Sequence, residues 1–143
     1  MAINFEMVGP ALALGLGCLG SAIGCGIAGM ASHGVMSRVE EGHGKFIGMS
    51  ASPSSQAIYG FILMLLMAGA IKEGTLSALS GIGIGAAAGS AIMVSAIYQG
   101  MVAATGIQAS AKQPAIFGKC FAAVGIVESF SLFAFVFSLL IIY

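Results

Sequence analysis

Apolar residues run along this chain in four long stretches, and charged or turn-forming residues fall almost entirely between them. The stretches extend approximately from Val8 to Met36, Phe46 to Ile71, Leu76 to Gly106 and Ala115 to Ile142. Each exceeds the roughly 20 apolar residues that an α-helix needs to cross a bilayer, so the pattern predicts four transmembrane helices. The interruptions are Ser37 to Lys45, the tight Lys72-Glu73-Gly74, and Ser110-Ala111-Lys112-Gln113-Pro114. Short connections join antiparallel neighbours. The expected fold is therefore an all-α integral membrane protein built of two helical hairpins, residues 1–74 and 75–143.

The two hairpins read as copies of one unit. Gly20-Ser21-Ala22-Ile23 recurs as Gly89-Ser90-Ala91-Ile92, 69 residues on, and Gly44-Lys45 recurs as Gly118-Lys119, 74 residues on. The longer second shift sets Phe61 on Phe135 and puts Ser54 opposite Glu128. Only the second copy then carries an acid within a span. Internal repeats of this kind are a transport-protein architecture, and here both copies run in the same direction.

Glu128 changes the picture most. It is the only charged side chain between Lys119 and the C-terminus, with Ala122 to Val127 on one side and Phe130 to Tyr143 on the other. An ionised carboxylate at bilayer depth costs about 2.5–3.5 kcal/mol on insertion scales, so an acid there marks a functional site. Snorkelling to the interface does not explain it, because Glu is short and the nearer flanking lysine is roughly 13 Å of helix away.

Other polar side chains in the spans are few and patterned. Ser52, Ser55, Gln56 and Tyr59 are spaced to share one helix face. Gln99 is the one amide deep in the third span, and Gln56 and Glu128 lie at comparable depth. Pro53 removes the donor for the carbonyl of Met49 and kinks the second helix. Singly, Gln56, Gln99 and Tyr59 read as hydrogen-bonded contacts between helices. Converging on one acid, they form a set of hard oxygen donors that suits a small hard cation.

Composition agrees with a membrane protein: 59% of residues are hydrophobic and 7% charged, against about 25% charged in soluble domains. Formal net charge is zero and no basic run occurs, which argues against nucleic acid as a partner. Cys18, Cys25 and Cys120 lie in apolar stretches without C-x-x-C spacing, so they read as small packing residues. His33 and His43 read as loop residues without metal-ligand partners. The N-terminal segment carries Glu6, lacks Lys and Arg, and precedes an apolar run too long for a cleaved signal. Arg38, Lys45, Lys112 and Lys119 flank the first and third connections, whereas the middle turn holds only Lys72. The positive-inside rule then places connections 37–45 and 107–118 in the cytoplasm and both termini outside.

Glycine separates two kinds of helix. Gly15, Gly17, Gly20, Gly24, Gly26 and Gly29 lie in the first span and Gly81, Gly83, Gly85, Gly89 and Gly100 in the third. The G-x-x-x-G pairs Gly20/Gly24, Gly81/Gly85 and Gly85/Gly89 allow close helix approach in lipid. The second and fourth spans are bulky, with Phe61, Leu63, Leu65, Phe130, Phe133 and Phe137 among them. Slim and bulky helices make a wedge, and wedges repeated about an axis close a ring with the slim helices inside. Gly15 to Gly20 also matches G-x-G-x-x-G, but it follows no strand and lies within a span, so no nucleotide site is expected.

Four spans, duplicated hairpins, glycine-rich odd helices and one acid in the fourth helix resemble the rotor-ring proteolipid, of K or c type, of V-type and V/A-type ATPases. The specific segments are Ser52-Pro53-Ser54-Ser55-Gln56-Ala57-Ile58-Tyr59-Gly60-Phe61, Tyr98 to Gln108, and Gly125-Ile126-Val127-Glu128-Ser129. They look most like the sodium-binding members. The resemblance implies that Glu128 carries the ion. It gives Gln56, Gln99, the Ser55 hydroxyl and the Ser52 main-chain carbonyl as sodium ligands, and Tyr59 as the residue that locks the occupied site. Ser55 stands where such members carry Thr, and Ser52 where they carry an apolar residue; both keep the needed oxygen. The implied cargo is Na+, with H+ as the alternative, and ATP chemistry belongs to other subunits, since no Walker motif occurs here. Implied partners are membrane lipid, further copies in a ring, a stator subunit with an arginine, and central-stalk subunits at the cytoplasmic loops. The competing reading is a small multidrug-type cation/proton antiporter, which would want aromatic walls about its acid; this chain has no Trp.

Overall fold

A computed structural model describes residues 5–143; residues 1–4, at the head of the expected first hairpin, lie outside the described residues. The described residues form α1 (Val8–Met36), α2 (His43–Ser50), α3 (Ser55–Lys72), α4 (Ala78–Lys112) and α5 (Phe117–Ile142), with short 3-10 turns at Ser52–Ser54 and Pro114–Ile116. Helices α2 and α3 run on from one another through the first 3-10 turn. They make one of four segments long and apolar enough to cross a membrane, together with α1, α4 and the stretch Pro114–Ile142.

The observed ends correct two expectations. The sequence pattern predicts a connection over 107–118, yet α4 continues through Lys112 and α5 begins at Phe117. Hydropathy marks where lipid ends, not where a helix ends. At 35 residues, α4 is about 52 Å long, against a hydrocarbon core of roughly 30 Å. It stops only where Pro114 forces its predecessor out of the helical region: Gln113 adopts φ −133 and ψ 84. Likewise the connection 37–45 is irregular only to Gly42, whose φ of +81 starts α2 at His43.

The turn between α3 and α4 follows from its residues. Gly74 adopts φ +78, and the amides of Gly74 and Thr75 return to the carbonyls of Ile71 and Ala70 at 3.1 and 3.0 Å, a glycine C-terminal cap. Ser77 then opens α4 by accepting from the Ser80 amide at 3.1 Å.

Helix α1 packs most extensively on α4, with α3 and α5 flanking that pair. Glycine makes the central contact possible. A Cβ at Gly85 would fall inside the Gly9 carbonyl, and one at Gly100 inside the backbone of Gly24. The run Gly15 to Gly20 lies mid-helix in α1, where Gly17 abuts Gln56 and Gly60 of the neighbouring span and Gly20 abuts Met93. Helix packing accounts for that motif. Two apolar clusters result, one around Leu63, Met67 and Ile92 and the other around Met49, Ile107 and Val124. Buried Gln56, Gln99 and Ser131 lie on the same helices, between those two sets in sequence.

Candidate ion-binding site

Pro53 creates the site's local geometry. Lacking an N–H, it leaves the Met49 carbonyl without its helical donor, and the Ser52 hydroxyl takes that place, donating to Met49 O at 2.8 Å. The helix tightens to a 3-10 turn over Ser52–Ser54, and α3 starts afresh at Ser55. Ser55, Gln56 and Tyr59 thus occupy the first turns of a new helix. All three side chains enter the network around Glu128 of α5.

The half-buried Glu128 carboxylate gathers donors from two other spans. Its Oε1 accepts from the Ser55 hydroxyl at 2.6 Å and from the Tyr59 hydroxyl at 3.0 Å. Its Oε2 accepts from Gln99 Nε2 at 3.3 Å. Gln99 Oε1 in turn accepts from Gln56 Nε2. Tyr59 stacks on Phe135 with ring centroids 6.1 Å apart, which restrains the ring that carries the hydroxyl.

Oxygen is in excess beside the carboxylate. Ser55 Oγ lies 3.2 Å from the Ser52 carbonyl oxygen, 3.2 Å from Gln56 Oε1 and 2.6 Å from Glu128 Oε1. It has one proton to share among three acceptors. Four hard oxygens crowded round a single proton suit a small cation, with no soft donor among them. Ser52, Ser55, Gln56 and Glu128 therefore present oxygens to one locus. Gln99 turns its Nε2 towards Glu128 and its oxygen towards Gln56, so it links the carboxylate to the Gln56 amide.

Three serines outside the expected set hold this frame. Ser131 Oγ donates to the Glu128 carbonyl at 2.6 Å and accepts from Gln56 Nε2 at 3.4 Å. Ser95 Oγ donates to the Val127 carbonyl at 2.8 Å. Ser21 Oγ accepts from the Ala57 amide at 2.9 Å. The signal for two of them was helical spacing: Ser131 is three residues after Glu128 and Ser95 four before Gln99. Nothing in the spacing of Ser21 ties it to α3. His33 and His43, expected in a loop, instead lie in the last turn of α1 and at the start of α2, and His43 Nε2 is 2.7 Å from the Val39 carbonyl oxygen.

The family model of the ATP synthase C-subunit matches residues 8–67 and 79–141. Among curated proteins, A-type ATP synthase subunit K of Methanocaldococcus jannaschii is 40% identical over 112 residues, covering 78% of this chain and 50% of the relative. V-type sodium ATPase subunit K of Enterococcus hirae is 34% identical over 144 residues, covering 96% of this chain and 90% of the relative. The chain thus spans about half the length of the first relative and nearly all of the second.

Proposed function

This chain belongs to the ATP synthase C-subunit family, and from that premise we propose that it is a rotor-ring subunit of a V/A-type ATPase that carries Na+ on Glu128. It is a multi-pass membrane protein. Catalysis of ATP turnover is assigned to other subunits, and this one moves the ion. The observation that carries the reading is the convergence of Ser55, Tyr59 and Gln99 on one carboxylate within a membrane span. Sodium is favoured as cargo by the oxygen cluster of Ser52, Ser55, Gln56 and Glu128, and by the named sodium ATPase relative; H+ is the alternative at the same carboxylate.

The physics of a rotor follows. A site facing lipid must be neutral, because an unpaired carboxylate there costs several kcal/mol. A bound cation supplies that neutrality, and the Tyr59 hydroxyl holds the loaded carboxylate in its inward rotamer. At a stator, an aqueous channel and an arginine of another subunit make the ionised Glu128 tolerable, so the cation leaves there and a new one enters from the opposite side. Each translocated charge is worth about 2.3 kcal/mol per 100 mV. With one acid per four helices, a ring moves fewer ions per turn than one with an acid on every hairpin, which suits pumping against steeper gradients. In the ring the slim α1 and α4 form the inner wall and the bulky α3 and α5 face lipid; Phe130, Phe133, Phe137 and Leu140 of α5 are exposed on the single chain. The connections near Arg38 and Lys112 face the cytoplasm and meet the central stalk. The division into hairpins 1–74 and 75–143 is part of this proposal, with the first copy having Ser54 where the second has Glu128.

The test is ATP-driven sodium uptake by vesicles bearing the whole complex. Glu128→Gln is expected to abolish uptake while rings still assemble. Uptake at the wild-type rate would overturn the assignment.

A further inference from the structure

Ser131 lies one turn beyond Glu128 on α5 and is fully buried. Its hydroxyl proton is committed to the Glu128 main-chain carbonyl at 2.6 Å. A hydroxyl has only one proton, so Ser131 Oγ has nothing but lone pairs to offer any other neighbour. That neighbour is Gln56, which donates from Nε2 at 3.4 Å. The second N–H of the same nitrogen goes to Gln99 Oε1. With both amide protons placed, Gln56 Oε1 is left on the far side, 3.2 Å from Ser55 Oγ and on the flank of the Glu128 carboxylate.

The oxygen and NH2 ends of an amide are nearly the same shape, so packing alone does not choose between them; hydrogen-bond polarity does. Reversed, Gln56 would set its oxygen against the lone pairs of Ser131 and against Gln99 Oε1, and would point N–H groups at the cation locus. We propose that Ser131 is a positioning residue for ion selectivity: it fixes the Gln56 amide so that an oxygen, not an N–H group, lines the cation seat. The inference rests on the ion-site reading above. Sodium needs that oxygen, whereas a proton needs only the carboxylate. Ser131 therefore acts on sodium affinity and leaves proton binding by Glu128 alone.

The experiment measures carbodiimide modification of Glu128 in membranes containing the whole complex, at one pH, over a sodium titration. Ser131→Ala is expected to raise the sodium concentration for half-protection by about tenfold to a hundredfold, the usual effect of removing a group that orients a metal ligand. The sodium-free modification rate should stay at the wild-type value, which a general loosening of the helices would not allow. Ser131→Cys keeps the side-chain volume but replaces the hydroxyl with a weakly hydrogen-bonding thiol, and it is held to the same expectation should the alanine variant fail to assemble. Wild-type half-protection in either assembled variant would overturn the proposal. Absence of sodium protection in the wild type itself would instead overturn the sodium-carrying site.

Discussion

The hydroxyl of Ser21 on α1 accepts a hydrogen bond from the main-chain amide of Ala57 at 2.9 Å, so the first span caps the start of α3. The residue in the N-cap position, Ser54, makes no side-chain cap and instead donates to the Ala51 carbonyl at 2.7 Å. A helix that begins inside a membrane exposes amides that water cannot satisfy. Ser21 meets one of them from across the helix interface. The turn that carries Ser55 and Gln56 is thereby fixed to α1.

Ser21→Ala should therefore loosen the subunit without touching Glu128. The loss of a capping oxygen is worth about 1 kcal/mol. Thermal unfolding of the purified ring in detergent should shift to lower temperature, and Ser21→Thr should recover most of the shift. An unmoved transition for the alanine variant would mean that another group satisfies the Ala57 amide.

Tyr59→Phe removes one of the two donors to Glu128 Oε1 and leaves the stack on Phe135 intact. Hydrogen bonds to charged groups contribute about 1.5–3 kcal/mol, and every 1.4 kcal/mol is about tenfold in an equilibrium. The variant should assemble normally and release bound sodium about tenfold faster or more. Isotope exchange from isolated rings checks this, and an unchanged exchange rate would remove Tyr59 from the lock.

Gly100→Ala tests the α1–α4 contact. The new Cβ would enter the backbone of Gly24, and forcing helices apart in a packed interior costs about 1–3 kcal/mol. Ring yield should fall sharply. Gly118→Ala serves as the control, because a Cβ there meets nothing within 4 Å; equal yields from the two would argue against tight glycine packing as the source of stability.

Much of this molecule was legible in its sequence because a membrane leaves few ways to place polar groups. Glu128, Gln56, Gln99, Ser55 and Tyr59 stood out as rare polar residues in apolar runs, and the structure brings all five together. The continuation of α4 to Lys112 was hidden, since polar residues that end a hydropathic span do not end a helix. Ser21 was hidden for another reason, and Ser95 and Ser131 were marked only by their spacing from Gln99 and Glu128. Serine is common in membrane helices, often bonding its own helix's carbonyls as Ser110 and Ser138 do at 2.7 and 2.6 Å, so a bridging serine carries no mark in composition. The orientation of the Gln56 and Gln99 amides depends on which partners are donors, and spacing alone does not give it.

The most direct test of the central claim is the rate at which a lipid-soluble carbodiimide modifies Glu128 in native membranes across pH, with and without sodium. The reagent attacks a protonated carboxyl, so an occupied sodium site resists it. A sodium-carrying Glu128 is modified in sodium-free medium, faster at lower pH, and is protected by millimolar sodium but not by potassium. Modification that follows pH yet ignores sodium would contradict a sodium-carrying site and assign the carboxylate to protons, and a Glu128 that is never modified would contradict its role as the ion carrier.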